Sequence, residues 1–463
     1  MPQLFLPDLL FADGRAHQAT GLLVCDDGNV LGYAESTAIP PTTEVVRLPG
    51  KALLPGLANA HSHAFQRLFR ARAEGRAVGG DTFWAWREQM YRAAALLAPP
   101  DLYDVARAAF LEMLLSGITV VGEFHYLHND PEGQPYADPN EMALQVIRAA
   151  QSVGMRICLL RTAYFRAGYR QQPHPGQRRF YETADTYLHN LAALIDHTAA
   201  DPLVHVGAAP HSIRAVPLAE LTRIASFAHA WQIPLHMHVS EQPAENDACF
   251  AEHAQTPVAL IAEHGVLMPQ TTLVHAIHLT APELDKVAAA GSTICSCPTT
   301  ERNLGDGIFP ADAAARLGIP IAFGSDSQAQ IDILEDARQL EYHLRLQYRR
   351  RGFLDGIAQE EIAMRLLRFA TGSGYQSLGV KGGNLSPGEP ADFFTFDLDD
   401  LSVLGTDKES LAAQAVFALN RTAIRDVAVA GRLVLQDGHH PLAQEIRSSY
   451  RAVQQRFSHS EEQ

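Results

Sequence analysis

The feature that most constrains this chain is a rhythm in its middle. Eight short apolar, β-rich runs each give way to a stretch of helical pattern. The runs are LLPGLAN (53–59), GITVVGEF (117–124), GMRICLLR (154–161), PLVHVGAA (202–209), IPLHMHV (233–239), TTLVHAI (271–277), STICSCP (292–298) and IPIAFGS (319–325). Helical sequence such as DLYDVARAAFLEMLLSG and LAELTRIASFAHAW lies between them. Eight βα units in about 330 residues predict an α/β fold, a (β/α)8 TIM-like barrel with insertions. The rival is a doubly wound open sheet, but no G-x-G-x-x-G follows the first run.

The flanks have a different texture. ATGLLVCDDGNVLGYA alternates apolar runs with an Asp-Gly turn signal, and ADFFTFDLDD and DVAVAGRLVLQDG do the same near the other end. They predict a small β-sandwich domain built from both chain ends, residues 1–52 and 380–440, beside a barrel at 53–379. The tail, 441–463, reads as a charged, solvated helix. A length of 463 residues with 47% hydrophobic and 19% charged residues suits one large domain with an accessory one.

A net charge of −15 argues against nucleic-acid binding and means that an anionic substrate needs locally placed arginines. The five cysteines are scattered, so they predict reduced thiols and a cytoplasmic protein, with Cys295 and Cys297 as core packing. The N-terminal residues lack a basic n-region and no run of about 20 apolar residues exists, so neither a signal peptide nor a membrane span is expected.

In such a barrel the active site lies at the C-terminal ends of the strands. The first run leads to His61 and His63, the fifth ends in HMHVSE, the sixth carries VHAIH and the eighth ends in GSDS. Each signal alone has a bland reading: a chance HxH, a histidine of the barrel core, an aspartate capping a helix. Together they bring imidazoles and one carboxylate, Asp326, to one mouth. Three neutral imidazoles and a carboxylate make a zinc set with room for water or substrate.

This pattern resembles the deaminase branch of the amidohydrolase superfamily over nearly the whole chain. The resemblance implies His61, His63, His238 and Asp326 as metal ligands, and it selects His238 over His236 because His238 heads HxxE. It implies Glu241 as the proton-shuttling acid, with His275 and Asp326 orienting the activated water. Two-metal members carry a bridging lysine after strand four, and Lys51, Lys286, Lys381 and Lys408 all lie elsewhere. One divalent ion, most simply Zn2+, is therefore expected. No G-x-S-x-G is present, and no serine or cysteine nucleophile is needed.

Finer motifs, HSHAFQR, FWAWRE, VGEFHYLHND, APHSIRAV, HVSEQ and CPTTERNLGDGIFP, together resemble the formimidoylglutamate deiminases of histidine degradation. That resemblance implies deimination of N-formimino-L-glutamate, with Gln66, Tyr126, His211 and Arg214 binding the substrate. It places Arg87, in FWAWRE, on a loop closing over the site, and it suggests a homodimer. The bland readings are a surface ion pair for Arg214, a helix cap for His211 and core packing for Trp84 and Trp86. One departure is Gln328, in GSDSQAQID, where the family often has a histidine close to the metal aspartate. Two alternatives stand beside this one: a zinc-dependent deaminase of a purine- or pteridine-type ring such as guanine, and a non-catalytic amidohydrolase-like scaffold.

Overall fold

The computed structural model describes residues 1–39, 41–72, 74 and 82–459, the side chains of 82–85 aside. Strands β1 (Gln3–Ala12), β2 (Arg15–Gln18), β3 (Thr20–Val24), β4 (Val30–Glu35) and β5 (Glu44–Pro55) precede the barrel. The barrel strands are β6 (Leu57–Ser62), β7 (Ile118–His125), β8 (Arg156–Ala163), β9 (Val204–Pro210), β10 (Leu235–Val239), β11 (Thr271–His275), β12 (Thr293–Ser296) and β13 (Ile321–Phe323). They pair in parallel, in unbroken chain order from β6 to β13. No position of β7, β8 or β10 is open to solvent, which is why these segments read as continuous apolar runs rather than alternating ones. The open-sheet rival is excluded by a bridge between Ser62 and Asp326 that joins the last strand to the first.

The first run does not form a single strand. It divides at Gly56: Leu53–Pro55 end β5, and Leu57 begins β6. Gly56 N donates to Asp392 O at 2.8 Å and Leu57 N to Gly117 O at 3.0 Å, so the chain changes sheets within two residues. A Cβ at Gly56 would stand 2.1 Å from Thr119 Oγ1, so only glycine fits the crossing.

After the barrel, β14 (Phe393–Asp397), β15 (Ile424–Val429) and β16 (Arg432–Leu435) return to the strands of the other chain end. The continuous order is β16-β15-β14-β5-β1-β3-β4, with β2 also paired to β1. Its own core includes Phe5, Leu22, Val30, Leu53 and Phe393. The tail helix, Ala443–His459, is not fully solvated. Ile446, Val453 and Phe457 are buried, and Tyr450 donates to Arg67 O at 3.0 Å. Those positions recur at helical spacing and form an apolar stripe within a charged sequence. All five cysteines are free thiols, and Cys295 and Cys297 pack with Ala60, Val274 and Ala322. Among the described residues no helix is long and apolar enough to cross a membrane.

Candidate active site

Three barrel strands deliver the central cluster. His61 lies on β6 and His63 just after it, His238 lies on β10, and Asp326 follows β13. His61 Nε2 and His63 Nε2 are 3.2 Å apart, and each is 3.3 Å from Asp326 Oδ1. With His238, the four residues offer ligand atoms that all lie within 4.8 Å of one another. Alternation along β10 puts His236 and His238 on one face. His236 meets Ser377 O at 2.8 Å, a layer further from the mouth, and leaves the site to His238.

The donor chemistry fits a cation. A backbone carbonyl can only accept, so His63 donates from Nδ1 to Phe124 O at 2.9 Å and His238 from Nδ1 to His211 O at 3.0 Å. Their Nε2 lone pairs are thereby turned inward, the arrangement in which metal-binding histidines are held. His61 Nδ1 is buried without a partner, so no compensating hydrogen bond defines its tautomer. Burial holds His61 down to about 3 and His238 well below the ordinary imidazole range, so both are neutral. Lone pairs and a carboxylate facing one point repel unless a cation lies between them.

The backbone around this cluster is strained. Ser240, His275, Ala276, Asp326 and Gln328 have φ of 51°, 69°, 51°, 45° and 63°, a left-handed region that is costly for residues with a Cβ. The strain gathers at the strand ends that aim side chains into the mouth.

Glu241 and His275 flank the cluster. His275 Nε2 is 3.7 Å from both Glu241 Oε1 and Asp326 Oδ2, and its Nδ1 is 3.4 Å from Glu301 Oε1. Glu301 is itself held by the Cys297 N–H at 2.7 Å and by Ser296 Oγ. Burial opposes a charge on His275, but Glu241, Glu301 and Asp326 outweigh it and raise its pKa well above the ordinary value. Burial raises Glu241, and it pushes neighbouring Glu245 up to about 7.

Gln66, Tyr126, His211 and Arg214 all line the cavity above this centre. Gln66 Nε2 donates to the Tyr126 hydroxyl at 2.9 Å, and Gln66 Oε1 is buried with no partner. Arg214 Nη1 donates to the Tyr164 hydroxyl and to Ala167 O, each at 3.3 Å. Burial, and then the charge of Arg214, hold His211 well below the usual imidazole range.

Residues 52–434 match the Amidohydrolase family model. The chain belongs to the amidohydrolase family. It is 38% identical over 407 residues to formimidoylglutamate deiminase of Pseudomonas aeruginosa, covering 88% of this chain and 89% of that protein. It is 32% identical over 415 residues to 8-oxoguanine deaminase of the same organism, covering 87% of each. A crystal structure of an amidohydrolase from Brucella melitensis superposes with a TM-score of 0.90 at 31% identity, over 98% of this chain and 99% of that one. This amidohydrolase is accordingly a metal-dependent hydrolase of C–N bonds, and the scaffold alternative is set aside.

One expectation for the amidohydrolase needs correction. FWAWRE is not a loop: it lies in the helix Thr82–Leu96, where Arg87 Nε donates to the Tyr91 hydroxyl at 2.6 Å. Trp86 in that helix packs on Phe69 and lines the cavity, while the side chain of Trp84 lies outside the described residues. Gln328 does not face the cavity. It is fully buried in the barrel seam, donating to Ser62 Oγ at 2.8 Å and accepting from Ser325 Oγ at 3.0 Å. Ser62 in turn donates to Glu123 at 2.6 Å, and burial pushes Glu123 up to about 7.

Several site residues were not anticipated from sequence. Tyr91, Tyr164 and Phe180 line the cavity, and Glu123 and Glu301 support the strand ends. Only Glu123 and Glu301 had a signal, their places in VGEFHYLHND and CPTTERNL.

Proposed function

We propose that this amidohydrolase hydrolyses N-formimino-L-glutamate to N-formyl-L-glutamate and ammonia. The observation that carries the reading is Arg214, a cation at the cavity beside Gln66, Tyr126 and His211 in a chain of net charge −15. A guanidinium suits a carboxylate by geometry as well as charge. The 38% identity to the Pseudomonas deiminase supports the same substrate.

His61, His63, His238 and Asp326 would hold one divalent ion, zinc by the character of the set. Bound there, the ion supplies Lewis-acid activation of a water molecule. Glu241 accepts the first proton of that water as its oxygen bonds to the formimino carbon, and delivers it to the imine nitrogen, which becomes –NH2. Asp326, next to His275, accepts the remaining hydroxyl proton, which passes to the same nitrogen. The C–N bond then breaks, ammonia leaves and the carbon keeps its oxygen as a formyl group. His275, charged and braced by Glu301, donates from Nε2 toward the attacking oxygen. Gln66 Oε1, otherwise unpartnered, accepts from the formimino N–H.

A purine-ring deaminase is the second reading, favoured by the 32% identity to 8-oxoguanine deaminase and by Trp86, Tyr126 and Phe180 around the cavity. Ammonia release by the purified, metal-loaded protein separates the two. N-formimino-L-glutamate should be turned over and guanine and related rings should not. The opposite result would overturn the substrate and leave the hydrolytic chemistry in place.

A further inference from the structure

Two tyrosines face the cavity with their hydroxyls already filled as acceptors. Tyr91 Oη accepts from Arg87 Nε at 2.6 Å and from Gln177 Nε2 at 2.8 Å. Tyr164 Oη accepts from Arg214 Nη1 at 3.3 Å and from the same Gln177 Nε2 at 2.8 Å. One amide nitrogen therefore spends both its protons on two phenols. Its orientation follows from the other end: Tyr181 Oη accepts from the His174 N–H at 3.3 Å and donates its own proton to Gln177 Oε1 at 2.6 Å. Gln177 is completely buried and does not line the cavity, whereas both tyrosines do. The packing leaves no slack, since a Cβ on Gly176 would lie 2.7 Å from Tyr91 Cγ.

A phenol oxygen that accepts two hydrogen bonds has only its proton left to place. Among the described residues neither hydroxyl donates a hydrogen bond. We propose that Gln177 is a positioning residue which turns the hydroxyls of Tyr91 and Tyr164 into the cavity as donors, so that with Arg214 they select a ligand bearing carboxylates. A carboxylate is acceptor-only and can take every one of these protons. A purine ring presents donors and acceptors along one edge and would leave some of them unpaired. The inference rests on the proposed substrate class and adds residues outside the motifs that suggested it.

The test uses the metal-loaded enzyme with Gln177→Glu, which puts an acceptor where the amide donates and draws both phenol protons away from the cavity. Tyr164→Phe, which removes only the hydroxyl, keeps the test open if the buried substitution does not fold. Each should raise KM for N-formimino-L-glutamate and weaken L-glutamate binding by ~10–10²-fold. Turnover number should change far less, and the loss should shrink on formamidine, which has no carboxylate. Gln177→Glu in a Tyr91→Phe/Tyr164→Phe background should add almost nothing. Equal losses on both substrates, or full additivity with the phenylalanine variants, would overturn the inference. If wild-type protein leaves N-formimino-L-glutamate untouched, the proposed function fails, while L-glutamate calorimetry still reads Gln177. A wild type that binds no L-glutamate would overturn both.

Discussion

Asp326 and His61 are joined at two levels. The Asp326 N–H donates to His61 O at 3.0 Å, and Asp326 Oδ1 stands 3.3 Å from His61 Nε2. The backbone bond belongs to the seam where the last barrel strand meets the first. The side-chain contact belongs to the ligand cluster. Barrel closure and the candidate site therefore use the same residues, and whatever binds the cluster also clamps the seam.

The first prediction follows from that shared position. One divalent ion per chain should be retained, since the ligand set is complete for one ion and no lysine lies near the fourth barrel strand, β9. Loading should raise thermal stability, because an ion bound only by the folded state at 1,000 times its Kd contributes about 4 kcal/mol. Elemental analysis with parallel melting curves checks both points. Two equivalents that both support turnover would defeat the single-ion reading.

Glu241→Gln should keep metal content near wild type while lowering kcat by ~10²–10⁴-fold, the usual scale of general acid–base help. The amide keeps size and hydrogen bonding but cannot carry a proton between water and the leaving nitrogen. Paired metal analysis and single-turnover kinetics are the measurement. Near-normal kcat would remove Glu241 from proton transfer and move attention to His275.

The barrel was legible because parallel strands buried on both faces leave unbroken apolar runs. The candidate ligand cluster was legible because its residues sit at the ends of those runs. What the runs could not show was where one sheet stops and the next begins: Leu53–Asn59 is apolar on both sides of Gly56, and only Thr119 and Asp392 divide it. The helix carrying FWAWRE was hidden for a related reason, since its tryptophans and arginine suit a lid as well as a helix face. Gln177 had no signal at all. Its meaning depends on Tyr91, 86 residues away, and a polar residue within HPGQRRF looks like any other loop residue until the two meet.

Glu182 supplies a pH prediction away from the metal. Arg161, fully buried on β8, donates to both Glu182 oxygens, at 2.5 and 2.9 Å. Burial alone would raise the Glu182 pKa, but His128 and Arg161 outweigh burial and bring it down to about 2. A depressed folded-state pKa contributes stability that is present above the unfolded value, about 4.3, and lost as pH falls toward the folded one. The contribution is ~3 kcal/mol, at about 1.4 kcal/mol per pH unit of separation. Glu182→Gln should destabilise the protein at neutral pH by a similar amount, since it leaves a buried guanidinium unpaired. It should also flatten the stability profile between about pH 4.5 and 2. Urea unfolding across that range tests this, and an unchanged acid slope would show that the pair does not govern it.

The last prediction concerns Arg214. Its guanidinium lines the cavity and, among the described residues, pairs with no carboxylate, donating instead to the Tyr164 hydroxyl and Ala167 O. That leaves its charge available for a carboxylate of the proposed substrate, and charge-assisted hydrogen bonds are worth roughly 1.5–3 kcal/mol each. Arg214→Met keeps the length of the side chain and removes the charge, so kcat/KM for N-formimino-L-glutamate should fall by ~10–10²-fold or more. Most of the loss should lie in KM if the contact is made equally in ground and transition states. On formamidine, which lacks a carboxylate, the loss should shrink sharply. Circular dichroism and metal analysis of the variant separate a lost contact from a damaged fold. An equal loss on charged and uncharged substrates would make Arg214 a strut for Tyr164 and the loop after β9, and the dicarboxylate reading would lose its main support.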